Sequence, residues 1–265
     1  MHEAEGARQG LAYRYDLIDM DPADGNFPPL KEVLQAVEEA GFAGVNVTYP
    51  FKKAVMEYLD DFSEAALAVD AVNTVVFRDG RRTGHNTDLW GFAESFRRNM
   101  EGAARGRVML IGAGGAGGAV GHALLECGVE HLLIADTRQD AARDLAERLK
   151  QRFGDKAEVE TIASVESYSG KLDGLVNATP VGMAKLPGSP FPVERLSRDM
   201  WVADVIYFPI KTELLRAARE KGCRCLPGSG MAVFQAVRSF ELFTGIRPDS
   251  AAMKSTFDAF DRSAL

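Results

Sequence analysis

Two kinds of apolar pattern alternate along the chain. Leu11–Ile18 places Tyr13, Tyr15 and Leu17 at every second position, the period of a half-buried strand. Pro28 and Pro29 then open a helix over Leu30–Ala40, with Leu30, Val33, Leu34 and Val37 on one face and Gly41 as its C-terminal cap. A short strand over Gly44–Val47 runs into Thr48-Tyr49-Pro50-Phe51-Lys52. Helices are predicted over Lys53–Leu59 and Ser63–Val69. Val72–Phe77 and Arg82–His85 flank Asp79-Gly80, a hairpin signal. A helix from about Asp88 to Met100 follows, and the character then changes. Val108–Ile111, Leu132–Ala135, Glu158–Ile162, Gly174–Asn177, Trp201–Ile206 and Cys223–Leu226 read as strands, several of them continuously apolar. Between them lie helical stretches, one ending at Cys127 and others over Gln139–Arg152 and Thr212–Lys221. This alternation is what a parallel sheet covered on both faces requires. Two helices, about Met231–Phe243 and Asp249–Phe260, close the chain and can fold back onto its first part. The reading is two α/β domains with a break near Asp88–Arg107.

One turn carries chemistry on its own terms. Gly112-Ala113-Gly114-Gly115-Ala116-Gly117 contains Gly-x-Gly-x-x-Gly, follows a strand and opens a helix, and Asp136 ends the next strand 24 residues after Gly112. Gly112 permits the tight turn, Gly114 lets backbone approach a pyrophosphate, and Gly117 lets helix and strand pack closely. A glycine turn that only packs is the plainer alternative, and Asp136 could simply cap the following helix. As a ligand residue, Asp136 would accept hydrogen bonds from the ribose hydroxyls of NAD and repel the 2′-phosphate of NADP, so NAD is favoured. Arg138 works against this if it pairs with that phosphate; stacking on adenine and lying in solvent are its other options.

Composition narrows the choice. The chain has 265 residues, 46% apolar and 26% charged, an ordinary globular balance. With 31 basic against 38 acidic residues the net charge is −7, which argues against a general nucleic-acid binder. No apolar run approaches the ~18–20 residues of a membrane helix, and polar Met1–Gly10 does not read as a signal peptide. Cys223 and Cys225 are badly spaced for zinc, so the three cysteines read as reduced thiols of a cytoplasmic protein, with no metal. His85 and His122 are not obvious proton acceptors: one ends a hairpin strand, the other sits inside the glycine-loop helix.

Three polar clusters stand where strands end: Asn46-Val-Thr48-Tyr-Pro50-Phe51-Lys52, Ala71-Val-Asn73-Thr74 and Asn86-Thr87-Asp88. Further on come Asn177-Ala-Thr179-Pro180, Asp204-Val-Ile-Tyr207-x-Pro209 and Gly228-x-Gly230-Met231-x-x-x-Gln235. In this order, with the glycine loop between them, these motifs resemble the shikimate dehydrogenase family, most closely its NAD-using quinate/shikimate branch, over almost the whole chain. The resemblance implies an α/β substrate-binding domain over 1–88 plus 232–265 and a Rossmann-type, doubly wound parallel-sheet dinucleotide-binding domain over 89–231, with substrate in the cleft between them. It implies Lys52 and Asp88 as the catalytic pair. Thr48, Asn73 and Gln235 would bind substrate hydroxyls, with Tyr207 near the carboxylate. Gly228 and Met231 would lie beside the nicotinamide, and Asn177, Thr179, Pro180 and Val205 along the cofactor. Asp136 in place of the family's frequent Asn-Arg-Thr pattern supports NAD over NADP. The expected partner is shikimate or quinate, and the expected state a monomer or homodimer.

The implied proton chemistry is reasonable. A lysine accepts a proton only when its amine is neutral, which desolvation favours and a nearby carboxylate opposes. The pair therefore acts as one coupled unit. Without the motif, Lys52 would read as a solvated lysine, and Thr48 and Asn73 as turn residues. The chain also departs from the family. Relatives usually begin with a strand ending in Ser-x-Ser/Thr-x-Pro, whose hydroxyls hold the substrate carboxylate. Here Met1-His2-Glu3-Ala4-Glu5-Gly6 stands where the segment just after it would fall. Two readings are a chain lacking its natural N-terminus and a shortened relative that binds dinucleotide but catalyses poorly. Either way, loss of a strand from a parallel sheet would be expected to weaken stability and substrate binding. NADP-linked biosynthetic activity and non-catalytic dinucleotide binding are the competing functions.

Overall fold

The computed structural model describes residues 1–20 and 28–263, with no description of side chains from 260 onward. Two compact units emerge, one formed by 1–87 with 235–265 and the other by 88–234.

In the first unit, α1 (His2–Arg8) precedes an extended stretch, then α2 (Leu30–Glu39) follows Pro29. β1 (Gly44–Asn46), a 3₁₀ helix over Ala54–Tyr58, β2 (Asp61–Phe62), α3 (Glu64–Val69), β3 (Thr74–Arg78) and β4 (Arg81–His85) come next. The sheet order is β1-β3-β4-β2, with β3 antiparallel to both β1 and β4 and β2 parallel to β4. The sheet is mixed rather than wholly parallel, and the hairpin that Asp79-Gly80 signals is present: β3 and β4 join through a tight turn whose residues Asp79 and Gly80 both take positive φ, as a type I′ turn demands. Two expectations fail. Leu11–Ile18 is not a strand; it pairs with no strand among the described residues, and Leu17 is 92% exposed. Lys53–Leu59 gives only the 3₁₀ turn rather than an α-helix. Leu34, Val47, Val55, Ala66, Val72 and Val75 form the apolar centre of this unit.

The second unit begins with α4 (Thr87–Asn99), whose first residue belongs to the first unit. It continues with β5 (Arg107–Ile111), α5 (Gly115–Glu126), β6 (His131–Ala135), α6 (Gln139–Phe153), β7 (Glu158–Thr161), β8 (Gly174–Asn177), β9 (Trp201–Asp204), α7 (Glu213–Glu220) and β10 (Arg224–Leu226). All six strands are parallel, in the order β10-β9-β8-β5-β6-β7. β8 and β9 are buried at every position and β5 and β6 at all but the first, which is why they read as unbroken apolar runs. The order reverses between β5 and β8, and such a switch point opens a crevice at the carboxyl ends of the strands. α8 (Ser229–Thr244) starts in this unit and ends in the first, and α9 (Ser250–Ser263) lies wholly in the first. There the buried Glu5 of α1 accepts the Asp249 N–H just before α9, at 2.8 Å.

Candidate functional site

The switch point of the second unit is built from the glycine loop. Gly112 takes φ of +105°, a conformation that disfavours any side chain. A Cβ on Gly117 would stand 2.0 Å from the Gly112 carbonyl oxygen, so helix α5 can start this close to β5 only with glycine there. Nothing lies within 4 Å of where a Cβ on Gly114 would sit, and Gly114 and Gly115 are exposed, with Ala116 half-buried behind them. The N-terminus of α5 thus presents open backbone, a cradle suited to a pyrophosphate. Asp136 closes β6 and binds this loop directly: its Oδ2 accepts the Ala113 N–H at 2.7 Å and its Oδ1 accepts the Arg138 N–H at 2.8 Å. The carboxylate is thereby fixed in orientation, with lone pairs left for ligand hydroxyls. Arg138 is exposed at the N-terminus of α6.

β8 ends in a turn that consumes its own polar groups. Asn177 is fully buried; its Oδ1 accepts Thr179 N–H and hydroxyl at 2.9 and 2.7 Å, while its Nδ2 donates to the Val181 carbonyl and Asp204 Oδ1. Its side chain shapes the turn, and Thr179 and Pro180 are the accessible members. The Ala178 carbonyl and Thr179 crowd Gly112, so this turn flanks the glycine loop. Asp204, at the end of β9, is 2% exposed, and burial pushes its carboxyl up to about 6 although Ile206, Thr212 and Asn177 all donate to it. Next to it, Gly228 is buried where a Cβ would meet the Val205 and Ile206 carbonyls at 2.4 and 2.5 Å. Met231 is buried one turn later, whereas Tyr207 is 54% exposed. Loop, turn and Asp136 are brought together, and Arg138 joins them through its backbone N–H while it remains exposed.

The first unit holds a second constellation. Asn73 is 3% exposed, and its Oδ1 accepts the Thr87 N–H at 2.7 Å while its Nδ2 donates to Thr87 Oγ1 at 3.0 Å. Thr74, Asn46 and Ser239 continue this buried network. Thr48 is exposed with its hydroxyl donating to the Tyr49 carbonyl, Lys52 is half-buried with its carbonyl accepting the Val72 N–H, and Gln235 is half-buried on α8. Asp88, 7% exposed, is the second residue of α4 and belongs to the other unit. His122 is fully buried, its Nδ1 2.9 Å from the Gly118 carbonyl, and His85 is half-buried with its basicity lowered by burial and then by Arg238 and Arg78. No hydrogen bond among the described residues links either imidazole to the constellations, although the His85 carbonyl accepts the Asn73 N–H at 3.0 Å. Among the described residues no group of three or more His, Cys, Asp or Glu side chains could hold a metal, and no helix is long and apolar enough to cross a membrane. The motif reading missed Ser239 and Thr87 as polar partners. The signal for Ser239 was its spacing, four residues after Gln235 and flanked by apolar Ala236 and Phe240 on α8.

The profile described as the shikimate dehydrogenase substrate binding domain matches residues 1–75, and that of the shikimate 5'-dehydrogenase C-terminal domain matches 228–256. A shikimate dehydrogenase (NADP(+)) of Streptomyces avermitilis is 48% identical over 96% of this chain and 87% of its own length. The chain belongs to the shikimate dehydrogenase family. A quinate/shikimate dehydrogenase (NAD(+)) of Corynebacterium glutamicum strain R is 45% identical over 97% of this chain and 92% of its own. The solved structure of quinate dehydrogenase from Corynebacterium glutamicum in complex with NAD superposes with a TM-score of 0.89, at 45% identity over 97% of this chain and 92% of that one. Family members so named are oxidoreductases acting on CH–OH groups. The named dinucleotide differs between these relatives.

Proposed function

We propose that this chain catalyses the reversible, NAD-linked oxidation of shikimate or quinate to 3-dehydroshikimate or 3-dehydroquinate. The observation that carries the choice of NAD is Asp136, whose carboxylate is pinned to the glycine loop by Ala113 N–H. A carboxylate held there accepts ribose hydroxyls and repels a 2′-phosphate. When bound, the nicotinamide supplies hydride acceptance from the carbon bearing the substrate hydroxyl. Glycines 112, 114 and 117 seat the pyrophosphate, Gly228 and Met231 border the nicotinamide, and Thr179, Pro180 and Val205 line the path between.

Lys52 and Asp88 act as the proton-transfer groups in this reading. In the oxidising direction the Lys52 amine takes the hydroxyl proton; in the reducing direction the Lys52 ammonium returns it to the forming alkoxide. Asp88 stabilises the ammonium form. Thr48, Asn73 and Gln235 hold ring hydroxyls and Tyr207 faces the carboxylate. The substrate-binding part is the first unit and the dinucleotide-binding part the second. The reaction belongs in a reducing compartment such as the cytoplasm, consistent with free Cys127, Cys223 and Cys225.

Initial rates in a two-by-two assay, shikimate or quinate against NAD or NADP, test the reading. Preference for NAD supports it; equal or better rates with NADP favour the second reading, an NADP-linked biosynthetic enzyme, for which the 48% identical Streptomyces relative speaks. Lys52→Ala should lower turnover by roughly 10²–10⁴-fold while leaving NAD binding intact. Absence of turnover in the unsubstituted chain, with NAD still bound, would instead mark a dinucleotide-binding protein without this activity.

A further inference from the structure

The polar network of the first unit has a centre that no motif marks. Ser239 is completely buried on α8, one turn after Gln235. Its Oγ donates to the Gln235 carbonyl at 3.0 Å and accepts from Asn46 Nδ2 at 3.0 Å. It also lies 3.0 Å from Thr74 Oγ1 and 3.3 Å from Thr87 Oγ1. A hydroxyl offers one hydrogen and two lone pairs. With its hydrogen on Gln235 and one lone pair on Asn46, Ser239 has a single place left, which the Thr74 and Thr87 hydroxyls share. Both threonines reach Asn73: Thr74 Oγ1 lies 3.2 Å from Asn73 Oδ1, and Thr87 binds Asn73 through N–H and hydroxyl. Ser239 therefore joins β1, β3, the first residue of α4 and α8 at one oxygen.

Five buried or half-buried polar side chains between helix and sheet carry a desolvation cost that apolar packing would avoid. Polar contacts of this kind fix direction, which apolar packing does not. We propose that Ser239 is a positioning residue of the substrate site, orienting the Asn73 amide through Thr74 and Thr87 and seating Gln235 through its carbonyl. The inference rests on the functional reading above, because it takes Asn73 and Gln235 as the groups that hold ring hydroxyls. Ser239 acts through them and does not touch substrate.

Ser239→Ala removes one oxygen without adding bulk, so the fold should tolerate it. Steady-state kinetics of the full chain, with shikimate or quinate varied at saturating NAD and then NAD varied at saturating acid, give the test. The acid KM should rise at least roughly fivefold, as loss of one well-made hydrogen bond implies. The KM for NAD should stay at its original value and kcat change far less than the acid KM. Thr74→Val should raise the acid KM too, and the double variant should show less than the product of the two effects, since both act through one network. An unchanged acid KM in Ser239→Ala overturns the proposal. So does a parallel rise in the KM of acid and NAD with a fall in melting temperature, which would mark Ser239 as merely structural. The unsubstituted chain is measured first: if it turns over neither acid, the functional reading itself fails and takes this inference with it.

Discussion

Replacing Asp204 with asparagine should raise stability at alkaline pH and leave it nearly unchanged in acid. Asp204 is buried at the end of β9, and burial pushes its carboxyl from 3.8 up to about 6. The folded state thus holds this proton more tightly than the unfolded chain. The stability contributed is complete below 3.8 and is lost as pH rises through about 6. A gap of about 2 units at 1.36 kcal/mol each amounts to about 3 kcal/mol. Asparagine keeps the shape: its Oδ1 can accept from Asn177 Nδ2 and Ile206 N–H, now at 3.1 and 3.0 Å, and its Nδ2 can donate to Thr212 Oγ1, now at 2.8 Å. The assay is urea unfolding of both proteins at pH 4 and pH 8, followed by fluorescence of Trp90 and Trp201, which both lie in the second unit. The variant should be more stable by about 2–3 kcal/mol at pH 8, with the gap closing as pH falls through 6. Other groups titrate alike in the two proteins and cancel. A gap independent of pH, or a variant weaker at pH 8, would refute the argument that burial dominates over the three donors.

Two further substitutions probe the loop and the N-terminal helix. Gly117→Ala puts a methyl 2.0 Å from a backbone oxygen that cannot swing aside; NAD affinity by calorimetry should fall at least roughly tenfold, a loss of about 1.4 kcal/mol. Glu5 accepts from Arg8, Gln9 and the Asp249 N–H, and the Arg8 guanidinium foremost holds its carboxyl down to about 2. Stability from this group is present above 4.5 and lost as pH falls toward 2. Glu5→Gln should therefore lower the thermal midpoint at neutral pH, with a cost of about 1.5–3 kcal/mol, and flatten the acid limb; an unchanged midpoint would show that α1 adds nothing to the first unit.

The second unit was legible because burial on both faces writes itself into sequence as unbroken apolar runs: β5, β6, β8 and β9 lie within two residues of where those runs predict them. The first unit was legible only where a local signal sufficed. Asp79-Gly80 announced its hairpin because the turn needs positive φ at both positions. β2 is two residues long and has no period to read. Leu11–Ile18 alternates, yet alternation marks a face and not a partner, and pairing decides whether a strand forms. Helix α1 hid behind charge: its buried members are His2, Glu5 and Gly6, and Glu5 is held by Arg8 one turn on and by the distant Asp249 N–H, so no apolar stripe betrays it.

The same distinction runs through the candidate site. The motifs mark polar residues at strand ends, but a motif does not say which way a side chain turns. Asn73, Asn177 and Asp204 turn inward, and most of their hydrogen-bonding capacity goes to neighbouring turns and hydroxyls. Thr48, Thr179 and Tyr207 are left accessible. An accessible group contributes by contacting a ligand, whereas an inward one contributes by restricting where its neighbours can sit. For the inward group, orientation and stability come from the same bonds and cannot be separated by deletion alone. Ser239 lies one layer further in, off every motif, because what it must satisfy is a fixed geometry of donors and not a chemistry. Residues of that kind leave a trace only as a hydroxyl on a helix face that packing alone would have made apolar.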